Sequence, residues 1–427
     1  MPYVLRCIAC GAEYPPGGVR ASCDCGGLLD VEHDLSSLRV SRELFDERLN
    51  RWDPENPLYR SGVWRFRELV LPVEESKIVS RPEGNTPLYR SERLSRWAGV
   101  RELFLKHEGE NPTGSFKDRG MTVGVTQARL LGCRAVACAS TGNTSASMAA
   151  YAALAGLSAI VFIPQGKIAL GKLAQALAYG AKTLEVKGDF DAAMQLVREI
   201  CEKLGIYLLN SLNPFRIEGQ KAIIFELLQQ REWEVPDWIV FPAGNLGNTA
   251  AFGKALYELK EVGLISHLPR LAAVQARGAN PFYRSFVGGF RQRERVTART
   301  VATAIRIGNP VSYERAVRSL RWTEGLVTEV SDAEIMDAKA QVDAAGIGCE
   351  PASAAAVAGA RRLAAEGAIR RGQSVVAILT GHLLKDPGAT VDYHLERLEG
   401  IESAYANRPR VIEPTLEAVR EALAGRA

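Results

Sequence analysis

Residues 135–166 of the chain are AVACASTGNTSASMAAYAALAGLSAIVFIPQG, a run of 32 residues without a charged side chain. Both ends of this run are rich in β-branched and other apolar residues, and its middle is rich in alanine. A membrane-spanning helix would be apolar throughout, but the polar segment from Ser140 to Ser147 and the later Pro164 interrupt the run. The pattern therefore predicts a buried strand, a polar loop, a helix and a second strand.

Short apolar strands alternate with alanine- or leucine-rich helices along the rest of the chain as well. The strands that this pattern predicts are Ala135–Ala139, Ala159–Ile163, Thr183–Val186, Trp238–Phe241, Leu271–Val274 and Ser374–Leu379. An alternation of strands with helices is typical of α/β folds with mostly parallel sheets. The chain is long enough for two or three such domains.

Composition and charge exclude several classes of function. The chain has 427 residues, and its 53 Lys and Arg against 49 Asp and Glu leave a formal charge of +4. That charge is too small to indicate a partner that is a nucleic acid or a membrane surface, so neither is expected. The first residues lack a basic segment followed by an apolar one, so we expect no secretory signal and a cytoplasmic location.

Four of the eight cysteines lie within the first 25 residues, in two pairs that are each followed by glycine. The spacing is that of a zinc ribbon, although the second pair is one residue closer than the usual C-x2-C. Four thiolates close a tetrahedral site to water, so a zinc ion there would be structural. The alternative is a ribbon whose cysteines stay reduced and empty. The candidate ligands are Cys7, Cys10, Cys23 and Cys25.

The segment Asn111-Pro-Thr-Gly-Ser-Phe-Lys-Asp-Arg119 carries the strongest chemical signal. Ser115, with Asp118 three residues later, resembles a capping box, which would place Lys117 in the first turn of a helix. The positive end of the helix dipole and burial would both lower the pKa of this lysine. Such an amine forms Schiff bases with aldehyde cofactors, whereas the alternative is a solvated surface lysine.

Three further segments place polar groups at strand ends or helix starts. Ser140-Thr-Gly-Asn-Thr144 follows a predicted strand, and its hydroxyl and N–H groups would suit a carboxylate. Gly244-Asn-Leu-Gly247 also follows a strand, and its glycines would let backbone N–H groups approach a phosphate. Thr380 ends the last predicted strand, where its hydroxyl could meet a heterocyclic nitrogen. An ordinary helix cap and ordinary turns are the alternatives.

In this order, these segments resemble the pyridoxal-phosphate enzymes of fold type II, the tryptophan-synthase-β type, and most closely the threonine synthases. The resemblance extends from Gly84-Asn-Thr-Pro-Leu88 to Gly381-His-Leu-Leu-Lys-Asp386. Its most specific pieces are residues 111–120, 140–146 and 163–176. The resemblance implies two three-layer α/β domains with mostly parallel sheets, preceded by a small zinc-ribbon-like module.

The sequence and the resemblance together divide the chain into parts. A zinc-ribbon-like module is expected at residues 1–35 and a linking arm at 36–82. The catalytic body is expected at 83–395, with its smaller α/β subdomain at roughly 120–215, and a helical C-terminal tail at 396–427. The aromatic residues expected to anchor the arm on the body are Trp52, Tyr59, Trp64 and Phe66.

The resemblance implies a cofactor, pyridoxal 5'-phosphate, and a role for each candidate residue. Lys117 would hold the cofactor covalently, Asn143 would face its ring hydroxyl, and Thr380 would meet its pyridine nitrogen. The residues implied for the cofactor phosphate are Gly244, Asn245, Leu246 and Gly247. Those implied for the substrate carboxylate are Ser140, Thr141 and Thr144, and those implied for a substrate phosphate are Asn210, Ser211 and Arg216.

Threonine synthases convert O-phospho-L-homoserine and water into L-threonine and phosphate by β,γ-elimination and replacement, commonly as homodimers. Two alternatives share the fold: cysteate synthase, which uses phosphoserine and sulfite, and threonine or serine dehydratase, which would not need Arg216. A third alternative is a zinc-ribbon nucleic-acid-binding protein with a degenerate enzyme body. The near-neutral charge and the intact Lys117 segment weigh against that last class.

Overall fold

A computed structural model describes residues 3–20, 22–51, 53–165, 170–187, 196–197, 199–201 and 203–424. Trp52 and residues 166–169 of the family-like segment 163–176 lie outside the described residues. The strands are β1 Tyr3–Cys7, β2 Glu13–Tyr14, β3 Leu29–His33, β4 Leu88–Arg90, β5 Glu102–His107, β6 Ala135–Ala139, β7 Ser158–Pro164, β8 Lys182–Val186, β9 Tyr207–Leu208, β10 Trp238–Pro242, β11 Arg270–Ala276, β12 Leu326–Val330 and β13 Ser374–Leu379.

The α-helices of the described residues alternate with these strands. They are α1 Arg42–Asn50, α2 Pro57–Arg60, α3 Arg67–Val70, α4 Glu92–Ala98, α5 Lys117–Leu130, α6 Asn143–Leu154, α7 Leu170–Ala178, α8 Pro214–Gln230, α9 Gly247–Glu261, α10 Pro281–Val287, α11 Tyr313–Trp322, α12 Asp332–Ala344, α13 Pro351–Ala365, α14 Pro387–His394 and α15 Leu416–Ala424.

The described strands form three sheets. A three-stranded antiparallel sheet has the order β2-β1-β3, and a four-stranded parallel sheet has the order β8-β7-β6-β9. The largest sheet has the order β12-β11-β10-β13-β5-β4 and is parallel except at its edge, where β4 runs antiparallel to β5. The prediction of an α/β fold with mostly parallel sheets is therefore confirmed.

The central strands follow the sequence pattern, with one informative exception. The predicted strand Ser374–Leu379 is β13 with the same bounds. In contrast, β5 escapes the pattern because it ends in Lys106 and His107, residue types that a buried strand normally avoids. In the structure the charge of Lys106 is paired, since its Nζ lies 2.5 Å from Oε1 of the buried Glu226.

The amino-terminal sheet packs directly on the rest of the molecule. Tyr3, Leu5 and Val31 are buried and belong to the same apolar core as residues of the parallel-sheet body. A buried ion pair adds to this packing, with 2.8 Å between Oδ1 of Asp30 in β3 and Nε of Arg315 in α11. The module is thus separate from the body in sequence but continuous with it in packing.

Helices α1 to α3 lie in the arm between the amino-terminal sheet and the body. Trp64 and Phe66 are fully buried, and Nε1 of Trp64 donates to Oγ1 of Thr122 in α5 at 2.7 Å. Tyr59 is half-buried. The expected aromatic anchoring of the arm is therefore observed for Trp64 and Phe66.

The C-terminal tail is mostly irregular. Between α14 and α15 no helix is assigned in the described chain, so residues 416–424 are its helical part. The expectation of a helical tail over 396–427 is therefore met only near its end. Among the described helices, none combines the length and the apolar character that crossing a membrane requires.

Strands of the four-stranded and six-stranded sheets end at the same cavity. The carboxyl ends of β6, β10 and β13 reach the same cavity as the amino ends of α5, α6 and α9. Strand carboxyl ends and helix amino ends are where α/β folds bind ligands, because loops and unpaired backbone N–H groups gather there.

Candidate active site

A cavity of about 1030 Å³ lies where segments of the four-stranded and six-stranded sheets meet. Every cofactor and substrate ligand predicted from the sequence lies on its wall, and the four cysteines lie elsewhere. The predicted ligands on the wall are Lys117, Ser140, Thr141, Asn143, Thr144, Asn210, Ser211, Arg216, Gly244, Asn245, Leu246, Gly247 and Thr380.

Lys117 is the first residue of α5, and its half-buried side chain lines the cavity. Burial, with a further contribution from the positive charge of Arg216, lowers the pKa of Lys117 to about 7, and the negative charge of Glu350 opposes this shift. An amine with this pKa is largely unprotonated just above neutral pH. Lys117 therefore has the chemistry of a nucleophile and a base.

The predicted capping box at Ser115 is wrong. The side-chain oxygen of Ser115 is buried and has no hydrogen-bond partner among the described residues. The start of α5 is held instead by Phe116, whose N–H donates to the carbonyl of Thr380 at 3.0 Å. Asp118 is used by the preceding loop, where its carboxylate accepts from N of Thr113 at 2.7 Å. Tertiary contacts have thus replaced the local cap.

The loop 244–247 lines the cavity and leads directly into a helix. Leu246 adopts a left-handed φ of 62° directly before α9. A Cβ atom on Gly244 would lie only 3.0 Å from Cα of Ile305, so a larger residue would crowd the neighbouring backbone. The tight turn and the helix start together form a site suited to a phosphate.

A second group of predicted anion ligands adjoins this loop. Nδ2 of Asn245 donates to Oγ of Ser211 at 2.8 Å, which connects the two groups directly. Nη1 of Arg216 donates to the carbonyl of Leu209 at 3.1 Å, so its guanidinium is held on the cavity wall. The carboxamide of Asn210 is bound to the backbone of β6, because its Oδ1 accepts a hydrogen bond from N of Ala139 at 2.9 Å.

Ser140, Thr141 and Thr144 surround the amino end of α6. The turn before the helix is closed by a hydrogen bond from N of Gly142 to Oγ of Ser140 at 3.2 Å. The helix begins at Asn143. Its first N–H groups have no acceptor within the helix, so this end can bind a carboxylate.

Asn143 and Thr380 reach the cavity from different sheets. Nδ2 of Asn143 donates to Oε2 of Glu350 at 3.1 Å, and Oγ1 of Thr380 lies 3.1 Å from Oγ of Ser353. Glu350 and Ser353 both belong to the start of α13, which no motif had marked. An acidic residue before proline, as at Glu350-Pro351, is a helix-start signal that could have found this segment.

Two further cations on the cavity wall were not among the predicted ligands. Arg306 follows the 3-10 turn Thr303–Ile305, and Lys385 ends the 3-10 turn Leu383–Lys385. Nζ of Lys385 donates to Oε1 of Gln175 in α7. Isolated basic residues in loops are common on protein surfaces, so the sequence does not distinguish these two.

Three buried polar atoms on or beside the cavity wall have no hydrogen-bond partner among the described residues. They are Nε of Arg216, Oε1 of Gln220 and Oδ1 of Asn248. Because buried polar groups normally have partners, these atoms indicate that the cavity is built for a polar ligand. With the amine of Lys117 and the loop 244–247, the donor set fits an aldehyde that carries a phosphate.

Comparison with known proteins agrees with this chemistry. Residues 79–381 match the family model of the pyridoxal-phosphate dependent enzymes. The threonine synthase of Methanosarcina acetivorans is 47% identical to the chain, and the match covers 100% of both proteins. The chain belongs to the threonine synthase family. The threonine synthase of Methanocaldococcus jannaschii is also 47% identical, over 90% of this chain and 94% of that protein.

A solved structure of a threonine synthase shares the fold. The enzyme from Escherichia coli has a TM-score of 0.71 at 20% identity, and the match covers 99% of both chains. At this identity the likeness concerns the fold alone. The resemblance to fold type II and to the threonine synthases, stated from the motifs, is therefore confirmed.

The four amino-terminal cysteines form a second cluster, outside the cavity of this threonine synthase family member. Their Sγ atoms all lie within 4.8 Å of one another, with 3.6 Å between Cys7 and Cys25 and 3.5 Å between Cys10 and Cys23. Four sulfurs at about 2.3 Å from a central zinc ion are about 3.8 Å apart in a tetrahedron. The cluster has the dimensions of such a site.

A third group of metal-ligand residue types is an ion-pair network. His33, Glu218 and Glu258 are buried close together, but two lysines lie among them. Nζ of Lys221 lies 2.5 Å from Oε2 of both carboxylates, and Nζ of Lys254 pairs with Oε1 of Glu218. The lysines supply the positive charge that a metal would supply, so this group fastens β3 to α8 and α9.

Proposed function

We propose that the chain is a threonine synthase, which converts O-phospho-L-homoserine and water into L-threonine and phosphate. One observation carries the proposal: Lys117, with a pKa of about 7, shares a cavity with two adjacent anion-binding groups. The loop 244–247 is one group, and Ser211 with Arg216 is the other. A phosphorylated cofactor and a phosphorylated substrate together require two such groups.

The residues proposed to hold pyridoxal 5'-phosphate are Lys117, Asn143, Thr380 and the loop 244–247. When bound, this cofactor supplies an electron sink for the negative charge that develops beside the substrate amino group. Thr380 is proposed to face the pyridine nitrogen. Because Thr380 contributes a hydroxyl and not a carboxylate, the chain does not fix a proton on that nitrogen by charge.

Lys117 is proposed to act as both base and acid. Its amine would remove a proton from Cα of the substrate and then one from Cβ. A proton would return to Cγ after phosphate has left, and another would return to Cα after water has added at Cβ. A pKa near neutrality suits proton transfer in both directions. Ser140, Thr141 and Thr144 at the start of α6 would hold the substrate carboxylate meanwhile.

Arg216 is proposed to hold the phosphate that leaves. Its Nε is buried without a partner among the described residues, and a planar guanidinium can offer two parallel donors to a phosphate dianion. The bond between Cγ and the phosphate oxygen breaks, and water later adds a hydroxyl to Cβ. Phosphate and threonine thus account for every atom of the substrate and of the water.

Product analysis with three sets of substrates tests this proposal. The cofactor-loaded chain is incubated separately with O-phospho-L-homoserine, with O-phospho-L-serine plus sulfite, and with L-threonine or L-serine. The expected result is L-threonine and phosphate in equal amounts from the first mixture. Cysteate as the main product of the second, or 2-oxo acid from the third without threonine from the first, would overturn the proposal in favour of another enzyme of this fold.

We further propose one structural zinc ion on Cys7, Cys10, Cys23 and Cys25. The sulfur distances support it. Deleting the module would also remove part of the shared core, so replacing the exposed ligands by Cys10→Ser with Cys25→Ser is the sharper experiment. The expected result is one zinc per unmodified chain, none in the variant, a lower melting temperature and retained turnover. Zinc-free unmodified protein would contradict the proposal.

The proposed organisation of the chain has four parts, a zinc-ribbon-like module at 1–35, an arm at 36–82, a catalytic body at 83–395 and a tail at 396–427. We propose a cytoplasmic homodimer that acts on a small molecule and binds no nucleic acid or membrane. The formal charge of +4 supports the last point. Sedimentation of the purified protein, alone and with DNA, tests the assembly and the partner together.

A further inference from the structure

Glu350 occupies a position that the proposed reaction does not yet use. It is the residue before α13, it is 4% exposed, and it lines the cavity. Its backbone N–H donates to the carbonyl of Gly381 at 3.0 Å. Its carboxylate accepts from Nδ2 of Asn143, at 3.1 Å for Oε2 and 3.4 Å for Oε1. Glu350 therefore connects the start of α6 with the end of β13.

The backbone after β13 is shaped around this carboxylate. A Cβ atom on Gly381 would lie 2.3 Å from Cδ of Glu350, so a side chain there would displace the carboxylate. Ser353, one turn further along α13, accepts from N of Gly381 at 2.9 Å and contacts the hydroxyl of Thr380. One helix start thus touches both Asn143 and Thr380, the two residues proposed to face the cofactor ring.

The contact with Glu350 fixes which end of the Asn143 carboxamide faces which neighbour. A carboxamide has a donor end and an acceptor end, and rotation by half a turn exchanges them. An ionised carboxylate only accepts hydrogen bonds, so it holds the Nδ2 end of Asn143 toward itself. Because Nδ2 carries two hydrogens, one remains to be donated to an oxygen in the cavity.

We infer that Glu350 is a positioning residue for the cofactor, which holds the Asn143 carboxamide so that its Nδ2 donates to the ring oxygen. The inference rests on the proposed cofactor site and adds to it a residue that acts through another. Removing the carboxylate would let the carboxamide rotate and present its oxygen to an oxygen. The cofactor would then be bound more weakly.

The charge of Glu350 also affects the cavity directly, in addition to its contact with Asn143. Its negative charge raises the pKa of Lys117, against the larger effect of burial. A loss of cofactor affinity alone would not separate this route from the one through Asn143. A double-mutant cycle separates them, because an effect that runs through Asn143 disappears when Asn143 is already replaced.

Equilibrium dialysis of the full-length, cofactor-loaded protein measures the dissociation constant of pyridoxal 5'-phosphate. We compare the unmodified chain with Glu350→Ala, Asn143→Ala and the double variant. Glu350→Ala is expected to weaken binding by at least about tenfold, the lower end of what one hydrogen bond to a charged group contributes. In the Asn143→Ala background the same change is expected to alter binding by less than about twofold. Glu350→Gln keeps one acceptor oxygen, so its dissociation constant is expected to lie between those of the unmodified chain and of Glu350→Ala.

Glu110→Ala is the matched control, because Glu110 is another carboxylate on the cavity wall and its partner is Tyr89, with 2.7 Å between Oε1 and the hydroxyl. Its dissociation constant is expected to stay within about twofold of the unmodified value. Additive effects of Glu350→Ala and Asn143→Ala, or equal effects of Glu350→Ala and Glu110→Ala, would overturn the inference.

Thermal unfolding shows whether each variant is folded. If Glu350→Ala does not fold, the same cycle is run with Glu350→Gln, and a coupling with Asn143→Ala is again the expected result. An additive cycle in a chain that forms threonine would reject the role of Glu350 and leave the proposed function standing. An unmodified chain that does not bind the cofactor would reject the proposed function itself.

Discussion

Lys117 and Arg119 lie two residues apart at the start of α5, but the charge of Arg119 is paired with carboxylates whereas the amine of Lys117 faces the cavity. Arg119 is fully buried, with Nε 2.6 Å from Oε2 of Glu108 and Nη2 2.8 Å from Oε1 of Glu226. Burial lowers the pKa of Arg119, but the two carboxylates outweigh this effect and raise it. Lys117 lines the cavity, forms no ion pair among the described residues, and has its pKa lowered to about 7 by burial.

The difference separates a structural charge from a reactive one. Removal of a paired, buried charge leaves its partners buried and unpaired, so the cost appears in the free energy of unfolding. An amine whose charge is disfavoured where it stands does not stabilise the folded protein at neutral pH but is available for chemistry. Substitutions on this one helix should therefore affect either turnover or folding, according to which residue is changed.

The largest expected effect is on turnover, with Lys117→Ala. Formation of threonine from O-phospho-L-homoserine should fall by at least about a thousandfold, because the variant lacks both the base and the cofactor amine. The melting temperature should not fall, since the lost ammonium group has no ion-pair partner among the described residues. Steady-state kinetics and thermal unfolding check both statements. Activity within about tenfold of the unmodified chain would contradict the role of Lys117.

Arg119→Ala should instead act on folding. The change leaves Glu108 without its ion-pair partner, and we expect the free energy of unfolding to fall by about 3 to 5 kcal/mol. Arg129→Ala on the exposed end of the same helix is the control and should leave stability nearly unchanged. Urea unfolding of both variants measures the difference. Equal stabilities would show that the buried pairs contribute no more than a surface residue.

Arg216→Ala should have a smaller effect, confined to the substrate. Each charge-assisted hydrogen bond to phosphate contributes about 1.5 to 3 kcal/mol, so kcat/KM for O-phospho-L-homoserine should fall at least about tenfold. Arg216→Lys should rescue partly, because a point charge lacks the planar pair of donors. Cofactor affinity should barely change, because the loop 244–247 is proposed to carry that phosphate. A variant that lost cofactor but kept normal kcat/KM per loaded site would mean that the two phosphates are wrongly assigned.

The smallest expected effect of a substitution is a shift in the pH at which the Lys117 amine becomes reactive. The positive charge of Arg216 lowers the pKa of Lys117, so Arg216→Ala should raise it. In the cofactor-free chain, trapping of the Lys117 amine by an aldehyde and borohydride should have its midpoint at about pH 7, and at a higher pH in the variant. A midpoint that moved down or stayed in place would contradict the electrostatic account.

The same lowered pKa predicts how stability changes with pH. Folded protein binds fewer protons at Lys117 than unfolded protein does between pH of about 7 and the ordinary pKa of 10.5. The contribution of Lys117 to the free energy of unfolding of the cofactor-free chain should therefore rise with pH across this window. Lys117→Ala should remove that contribution, and chemical unfolding at several pH values compares the two proteins.

Most of the cavity wall could be predicted because it lies at strand ends and helix starts. In the run 135–166 a polar segment, Ser140 to Thr144, follows the apolar strand β6. In the same way the loop 244–247 follows β10, and Thr380 follows β13. Parallel strands bring their carboxyl ends to one edge of a sheet, so local patterns were enough to locate these residues. The role of each residue toward a ligand remains a prediction.

Three of the features that the sequence did not predict depend on contacts between distant parts of the chain. Ser115 has the sequence of a helix cap, but packing against the end of β13 determines how α5 begins. Glu350 accepts a hydrogen bond from Asn143, which lies 207 residues earlier. Lys106 is tolerated in the buried strand β5 because its charge is paired with that of Glu226. A local sequence pattern does not include these distant partners, so residue spacing alone could not predict the contacts.

The hydrogen bond between Asn245 and Ser211 has a consequence for changing the specificity of the molecule. It joins the loop beside β10 to the segment that carries Arg216, so the two groups proposed to bind anions share one contact of 2.8 Å. An engineer who altered Ser211 to accept a different leaving group would also disturb the loop 244–247. New substrates for this scaffold should therefore be sought by changing both segments together, in libraries that vary Asn245 and Ser211 as a pair.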